Sequence, residues 1–93
     1  MPKKSIRHEL IIPPAPIKKG EMGLNVYNLQ LVLDHILKYK GKASLHTHED
    51  GHFGVMTERA LREFQANNGL FINGEYTPVT RLRIKEVLNG TFN

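Results

Sequence analysis

An all-α fold, a compact bundle of three short helices joined by anchored turns, is what this sequence predicts. Three observations predict it. Apolar residues recur at helical spacing in three separate segments, each segment is closed by glycine or an Asn-Gly pair, and the second and third are entered through the same aromatic-bearing turn. At 93 residues the chain is long enough for one small domain and too short for a second independent core.

The first helix is expected over Leu24 to Tyr39, where Val26, Leu29, Leu33, Ile36 and Leu37 form the inner face and Asn25, Asn28, Asp34 and Lys38 the outer one; Gly41 stops it. The span from Lys40 to His52 is polar, histidine-rich and without a period, and reads as a long connection. A second helix runs from about Val55 to Asn68 with Ala60, Leu61 and Phe64 inward, and Asn68-Gly69 ends it because glycine takes the left-handed C-terminal conformation without steric cost. The third occupies about Pro78 to Leu88 with Ile84, Val87 and Leu88 inward. Pro78 suits the first helical position, and Thr77 before it can cap. Ahead of all three, Ile11-Ile12-Pro13-Pro14-Ala15-Pro16 favours extended geometry, so residues 1–16 read as a flexible basic and proline-rich arm and residues 17–93 as the domain, the alternative being a terminus that folds back with Leu10, Ile11 and Ile12 against the core.

Charge divides a little further on, after residue 20. Lys3, Lys4, Arg7, Lys18 and Lys19 against Glu9 account for the whole net charge of +4, leaving residues 21–93 with eight basic and eight acidic residues. The basicity belongs to the arm, which any polyanion would attract, and not to the body. Without cysteine, disulfide frameworks, thiolate metal sites and cysteine nucleophiles are excluded. No stretch reaches the roughly 18 apolar residues of a membrane span, and Met1-Pro2-Lys3-Lys4 lacks the apolar block of a secretory signal.

Asp50-Gly51-His52-Phe53-Gly54-Val55-Met56-Thr57 and Asn73-Gly74-Glu75-Tyr76-Thr77-Pro78-Val79-Thr80 share one pattern at an offset of 23 residues. A tight turn needing positive φ comes first, an aromatic two residues on drops into the core, a cap opens the helix, and a threonine falls in its first turn, where its hydroxyl can satisfy backbone groups locally. Gln30 and Gln65 sit beside the core residues Leu29 and Phe64, and their amides are expected to pin neighbouring loops, with ligand contact the alternative.

With these residues in hand, the run Gly20-Glu21-Met22-Gly23-Leu24-Asn25-Val26-Tyr27-Asn28-Leu29-Gln30, followed by Asp50-Gly51-His52-Phe53-Gly54, Thr57-Glu58, Ala60-Leu61, Phe64-Gln65 and Asn68-Gly69-Leu70, closely resembles the peptidoglycan-binding domain found beside bacterial and phage cell-wall hydrolases. The resemblance spans about Ile17 to Leu88. It implies a non-catalytic module that anchors an associated wall-lytic enzyme or assembly to peptidoglycan, at the cell wall or the extracellular side of the envelope or in a phage lysis particle, with no cofactor. The expected ligand surface lies where the first turn meets helices one and two, with Tyr27, Gln30, Asp50, Gly51, His52, Phe53, Gly54 and Thr57 as candidate ligand-binding residues. The chain departs from the family pattern at Thr77, where glycine is usual, at Arg81, where tryptophan is common, and in the longer connection from Lys40 to Glu49.

Two other function classes compete. A helical trio with a basic arm could bind nucleic acid, but the exposed charges of helices two and three are of mixed sign, which weakens phosphate affinity. The same fold could instead dock another protein. Enzymatic readings fail on chemistry. Ser5 and Ser44 have no histidine and acid arrangement, and Glu58 and Glu63 point to different sides of a helix, so no rigid carboxylate pair exists. His46, His48, Glu49, Asp50 and His52 are the one cluster dense enough to suggest a metal, yet they lie in a loop and Asp50 already has a turn role, so a solvated loop is preferred and no metal is expected.

Overall fold

The structure is a computed structural model that describes residues 10–39 and 49–90. Helix α1 spans Leu24–Tyr39, α2 Val55–Asn67 and α3 Pro78–Leu88. The only extended pairings among the described residues are two isolated antiparallel bridges, Met22 with His52 and Ile17 with Tyr76.

Val26, Leu29, Val32, Leu33, Ile36 and Leu37 give α1 a broad buried face, against which α2 sets Ala60, Leu61 and Phe64 and α3 sets Ile84. Phe53 and Tyr76, each from the turn ahead of a helix, complete this core at 1% and 0% exposure together with Ile17. Burying an aromatic side chain fully contributes about 1.5–3 kcal/mol, so the two turns are held to the bundle by their rings as well as by hydrogen bonds. Val87 and Leu88 are half-buried at the edge of the cluster. Two residues of α1 assigned to its outer face are buried instead: Asn28 is 7% and Asp34 5% exposed, so the buried face of α1 is wider than its apolar stripe.

The helix ends follow local chemistry. α2 closes one residue earlier than expected, in a Schellman arrangement: the Leu70 amide donates to the Gln65 carbonyl at 2.9 Å while Gly69 takes φ +69°. At the other entrance Thr77 is the N-cap of α3, its hydroxyl accepting from the Thr80 amide, with Pro78 in the first turn. Gly54 precedes α2 with extended geometry and no side chain to cap it.

The stretch ahead of Ile17 is where the structure departs furthest from sequence reasoning. Residues 1–9 lie outside the described residues, but residues 10–16, expected to belong to a free arm, are seated on the domain. Pro13 is buried, and Leu10, Ile12 and Ala15 pack against the core. The Pro13 carbonyl accepts two hydrogen bonds, from the Tyr76 hydroxyl at 2.7 Å and from Arg81 Nε at 3.0 Å. A backbone acceptor removed from water requires such partners, and Arg81, one of the two positions that depart from the family pattern, supplies one of them. Burial pushes the Tyr76 hydroxyl up to about 12, so it remains a neutral donor throughout the physiological range.

Tyr76→Phe is expected to cost about 1 kcal/mol of unfolding free energy and to speed hydrogen exchange over residues 10–16, with Arg81→Ala adding to the loss. Because the Tyr76 value is raised in the fold, its contribution is complete below pH 10.0 and is lost as pH rises toward 12. Chemical denaturation from pH 8 to 12 should show that decline in the parent chain and a flatter profile in the phenylalanine variant.

Candidate functional site

The first turn, Asp50 to Thr57, is built around the amide of Gln30, which projects from α1 with no exposed surface. Its Nε2 lies 3.2 Å from Asp50 Oδ1, 3.0 Å from the His52 carbonyl and 2.9 Å from Thr57 Oγ1, so its two hydrogens serve three acceptors, while its Oε1 accepts from the Gly51 amide at 2.9 Å. Asp50 Oδ1 also accepts from the His52 amide. That backbone bond, followed by the Gln30 amide, holds the Asp50 carboxyl below its ordinary value of 3.8. Segment 20–23 then closes over the turn: Gly20 donates to the Phe53 carbonyl, Phe53 to Glu21 and Gly23 to Gly51, all at 2.8–2.9 Å.

The second turn repeats this arrangement with Gln65 of α2 in the place of Gln30. Gln65 Nε2 reaches Asn73 Oδ1, the Glu75 carbonyl and Thr80 Oγ1 at 3.0–3.2 Å, and its Oε1 accepts from the amides of Asn73 and Gly74. Asn73 Oδ1 accepts from the Glu75 amide as Asp50 does from His52. The two first-turn threonines therefore accept from a glutamine on the preceding helix, a role across the bundle that a purely local reading of their hydroxyls misses. Gly51 and Gly74 take φ +75° and +72°, and a Cβ at Gly74 would stand 2.8 Å from Glu58 Cγ, so the second turn also needs glycine for its close approach to α2.

This geometry sorts the candidate ligand-binding residues into two groups. Gln30, Phe53 and Thr57 are buried and form the frame of the turn. Tyr27, Asp50 and His52 are exposed, and Gly51 and Gly54 lie half-exposed between them. Tyr27 is brought beside the turn by α1, its Cβ 3.9 Å from where a Cβ on Gly51 would sit, and His52 lies against Gly54. Met22, paired with His52, is 74% exposed, and Leu24 and Val55 are exposed as well, so an apolar fringe flanks the polar turn. These apolar neighbours were not singled out by sequence reasoning. Their signal was the Met22-Gly23-Leu24 run just ahead of the first helical period, where apolar residues have no inner face to join.

Elsewhere several surface cations are engaged within the chain. Lys19 and Arg62 both meet the Glu58 carboxylate, at 3.1 and 3.6 Å, and hold it below its ordinary value, chiefly through the Lys19 hydrogen bond. Arg83 pairs with Glu86 and also donates to the Asn68 carbonyl at the end of α2. The loop histidines His46 and His48 lie outside the described residues, and among those described no group of three histidine, cysteine or acidic side chains could hold a metal. No helix described is long and apolar enough to cross a membrane.

The family model described as "Putative peptidoglycan binding domain" matches residues 22–84. Among solved structures the chain is similar to one titled "The crystal structure of SleB N-terminal domain", with a TM-score of 0.64 and 33% identity over 78% of this chain and 92% of that one. No curated protein matches it.

Replacing Gln30 or Gln65 by alanine leaves several buried groups of a turn without partners, each costing about 1–3 kcal/mol. Each variant is expected to lose about 3 kcal/mol in urea unfolding, and Gln→Glu, which removes both donors, to lose nearly as much.

Proposed function

Since this chain belongs to the family of peptidoglycan-binding domains and is a non-catalytic binding module, we propose that it anchors an associated wall-lytic enzyme or assembly to its substrate through the face framed by the first turn. The observation that supports this site is the division of the turn into a buried frame and an exposed rim. Gln30, Phe53 and Thr57 fix the backbone, so Tyr27, Asp50 and His52 are presented with little freedom to lose on contact, and preorganisation of this kind favours binding. Tyr27 offers a ring face to a sugar or a peptide side chain, Asp50 and His52 offer hydrogen-bonding groups, and Met22, Leu24 and Val55 offer apolar contact. The surface is shallow, which suits weak contacts multiplied by linkage to a wall hydrolase or by several copies. The setting consistent with this role is the bacterial envelope or a phage lysis particle.

The nucleic-acid alternative loses ground at the helix cations. Of the five helix cations it would draw on for phosphates, Arg59, Arg62, Arg81, Arg83 and Lys85, three are committed: Arg62 to Glu58, Arg81 to the Pro13 carbonyl, and Arg83 to Glu86 with the Asn68 carbonyl.

Co-sedimentation with purified insoluble sacculi tests the proposal. The parent chain should pellet at low salt, and Tyr27→Ala and His52→Ala should each reduce the pelleted fraction several-fold with a melting temperature within about 2 °C of the parent, because exposed substitutions rarely move stability by more than roughly 0.5 kcal/mol. Parent protein that stays wholly in the supernatant overturns the wall-binding reading, and variants that pellet like the parent overturn the assignment to the first turn.

A further inference from the structure

The second turn carries a feature that the first-turn face does not account for. A groove of about 420 Å³ is lined by the segment Pro16–Lys19, by the turn Asn73–Thr77 and by Glu58 of α2. Its size falls in the range of small-ligand sites. The wall formed by residues 16–19 precedes the residues matched by the family model and is held in place by hydrogen bonds to the second turn and α3. The Ile17 amide donates to the Tyr76 carbonyl at 3.1 Å, and upstream the Pro13 carbonyl is latched by Tyr76 and Arg81.

The charges on this groove are unequal in their commitments. Lys19 and Glu58 neutralise each other at 3.1 Å. Lys18 and Glu75 line the same groove, one from each of its two segments, and neither charged side chain has a partner among the described residues, although the Lys18 backbone amide is bonded to the Glu21 carboxylate. A groove offering one uncommitted cation and one uncommitted anion is complementary to a ligand that itself carries both an ammonium and a carboxylate. We infer that this groove is a second binding site, selective for a short zwitterionic peptide segment. The inference rests on the wall-binding reading for the source of that segment. The glycan strands of peptidoglycan are amide- and hydroxyl-bearing and offer no such charge pair, whereas its stem peptides carry free carboxylates and, where a diamino acid is not cross-linked, a free ammonium. The groove would thus read the peptide, and uncross-linked peptide in particular, while the first-turn face makes the remaining contacts.

Amide chemical-shift mapping of the full chain with two soluble probes tests this. The probes are a stem tripeptide ending in a free diamino acid, and the peptide-free disaccharide of N-acetylglucosamine and N-acetylmuramic acid. The tripeptide is expected to shift Lys18, Lys19 and the Gly74–Thr77 amides, and the disaccharide to leave them unmoved. Lys18→Gln and Glu75→Gln should each weaken tripeptide binding about tenfold, the order expected for one charge-assisted contact, with unchanged melting temperature. Acetylating the free side-chain amine of the tripeptide should weaken binding to the parent chain to a similar degree. Tripeptide shifts confined to the first turn, or equal affinity in both variants, overturn the inference. Sacculus pelleting of the same proteins separates the two readings: parent chain that pellets while the groove amides stay unmoved by tripeptide sinks the groove alone, and parent chain that fails to pellet sinks the wall-binding role whatever the groove does.

Discussion

A primary amide buried among backbone groups can satisfy several at once, and this small domain depends on doing so twice. Gln30 and Gln65 each place two donor hydrogens and a carbonyl oxygen inside a turn whose own backbone would otherwise be cut off from water without partners. Apolar packing alone would leave these turns unspecified, since a ring such as Phe53 or Tyr76 can enter a core from more than one backbone path. The amides fix the path, and they thereby decide which residues face outward. The exposed rim at Tyr27, Asp50 and His52, and the groove edge at Glu75, are consequences of where the amide hydrogens point.

Much of this was legible because the signals are local. The limits of α1 and α3 follow from an apolar period and from Pro78 and Thr77, each of which acts on residues within one helical turn. The repeated turn was equally readable, since Asp-Gly and Asn-Gly demand positive φ whatever surrounds them. The burial of Asn28 and Asp34 was not, because a helical projection assigns polar residues to water and knows nothing of how wide the buried face is. The seated conformation of residues 10–16 stood only as the second reading for a related reason. Its proline content, taken alone, describes an extended tether, and the groups that hold Pro13 are 63 and 68 positions away in the chain. For the candidate site, sequence reasoning grouped residues by motif but could not separate frame from rim: Phe53 and Thr57 stand in the same short motif as Asp50 and His52, Gln30 joins them from α1, and only three-dimensional burial tells frame from rim.

Arg81 and Thr77 show how a departure from a family pattern can be absorbed by the fold. Where an aromatic is common, the guanidinium of Arg81 turns to a backbone carbonyl of the leading segment; where glycine is usual, Thr77 supplies a cap. Both act at the entrance of α3: Thr77 caps the helix itself, and Arg81 ties it to the leading segment. Residues 16–17 of that segment form part of one wall of the groove beside the second turn, so a guanidinium in the last helix helps to hold a surface formed near the first described residues of the chain.

The two glutamine latches are arranged in series. α1 grips the doorway of α2, and α2 in turn grips the doorway of α3, each glutamine reaching forward along the chain. Damage is therefore directional. Releasing the earlier latch frees the helix that carries the later one and endangers everything downstream, while releasing the later latch can leave the first two helices in register. Gln30 and Gln65, though chemically equivalent in their surroundings, are unequal in consequence, and the earlier of the two governs how cooperatively the domain comes apart.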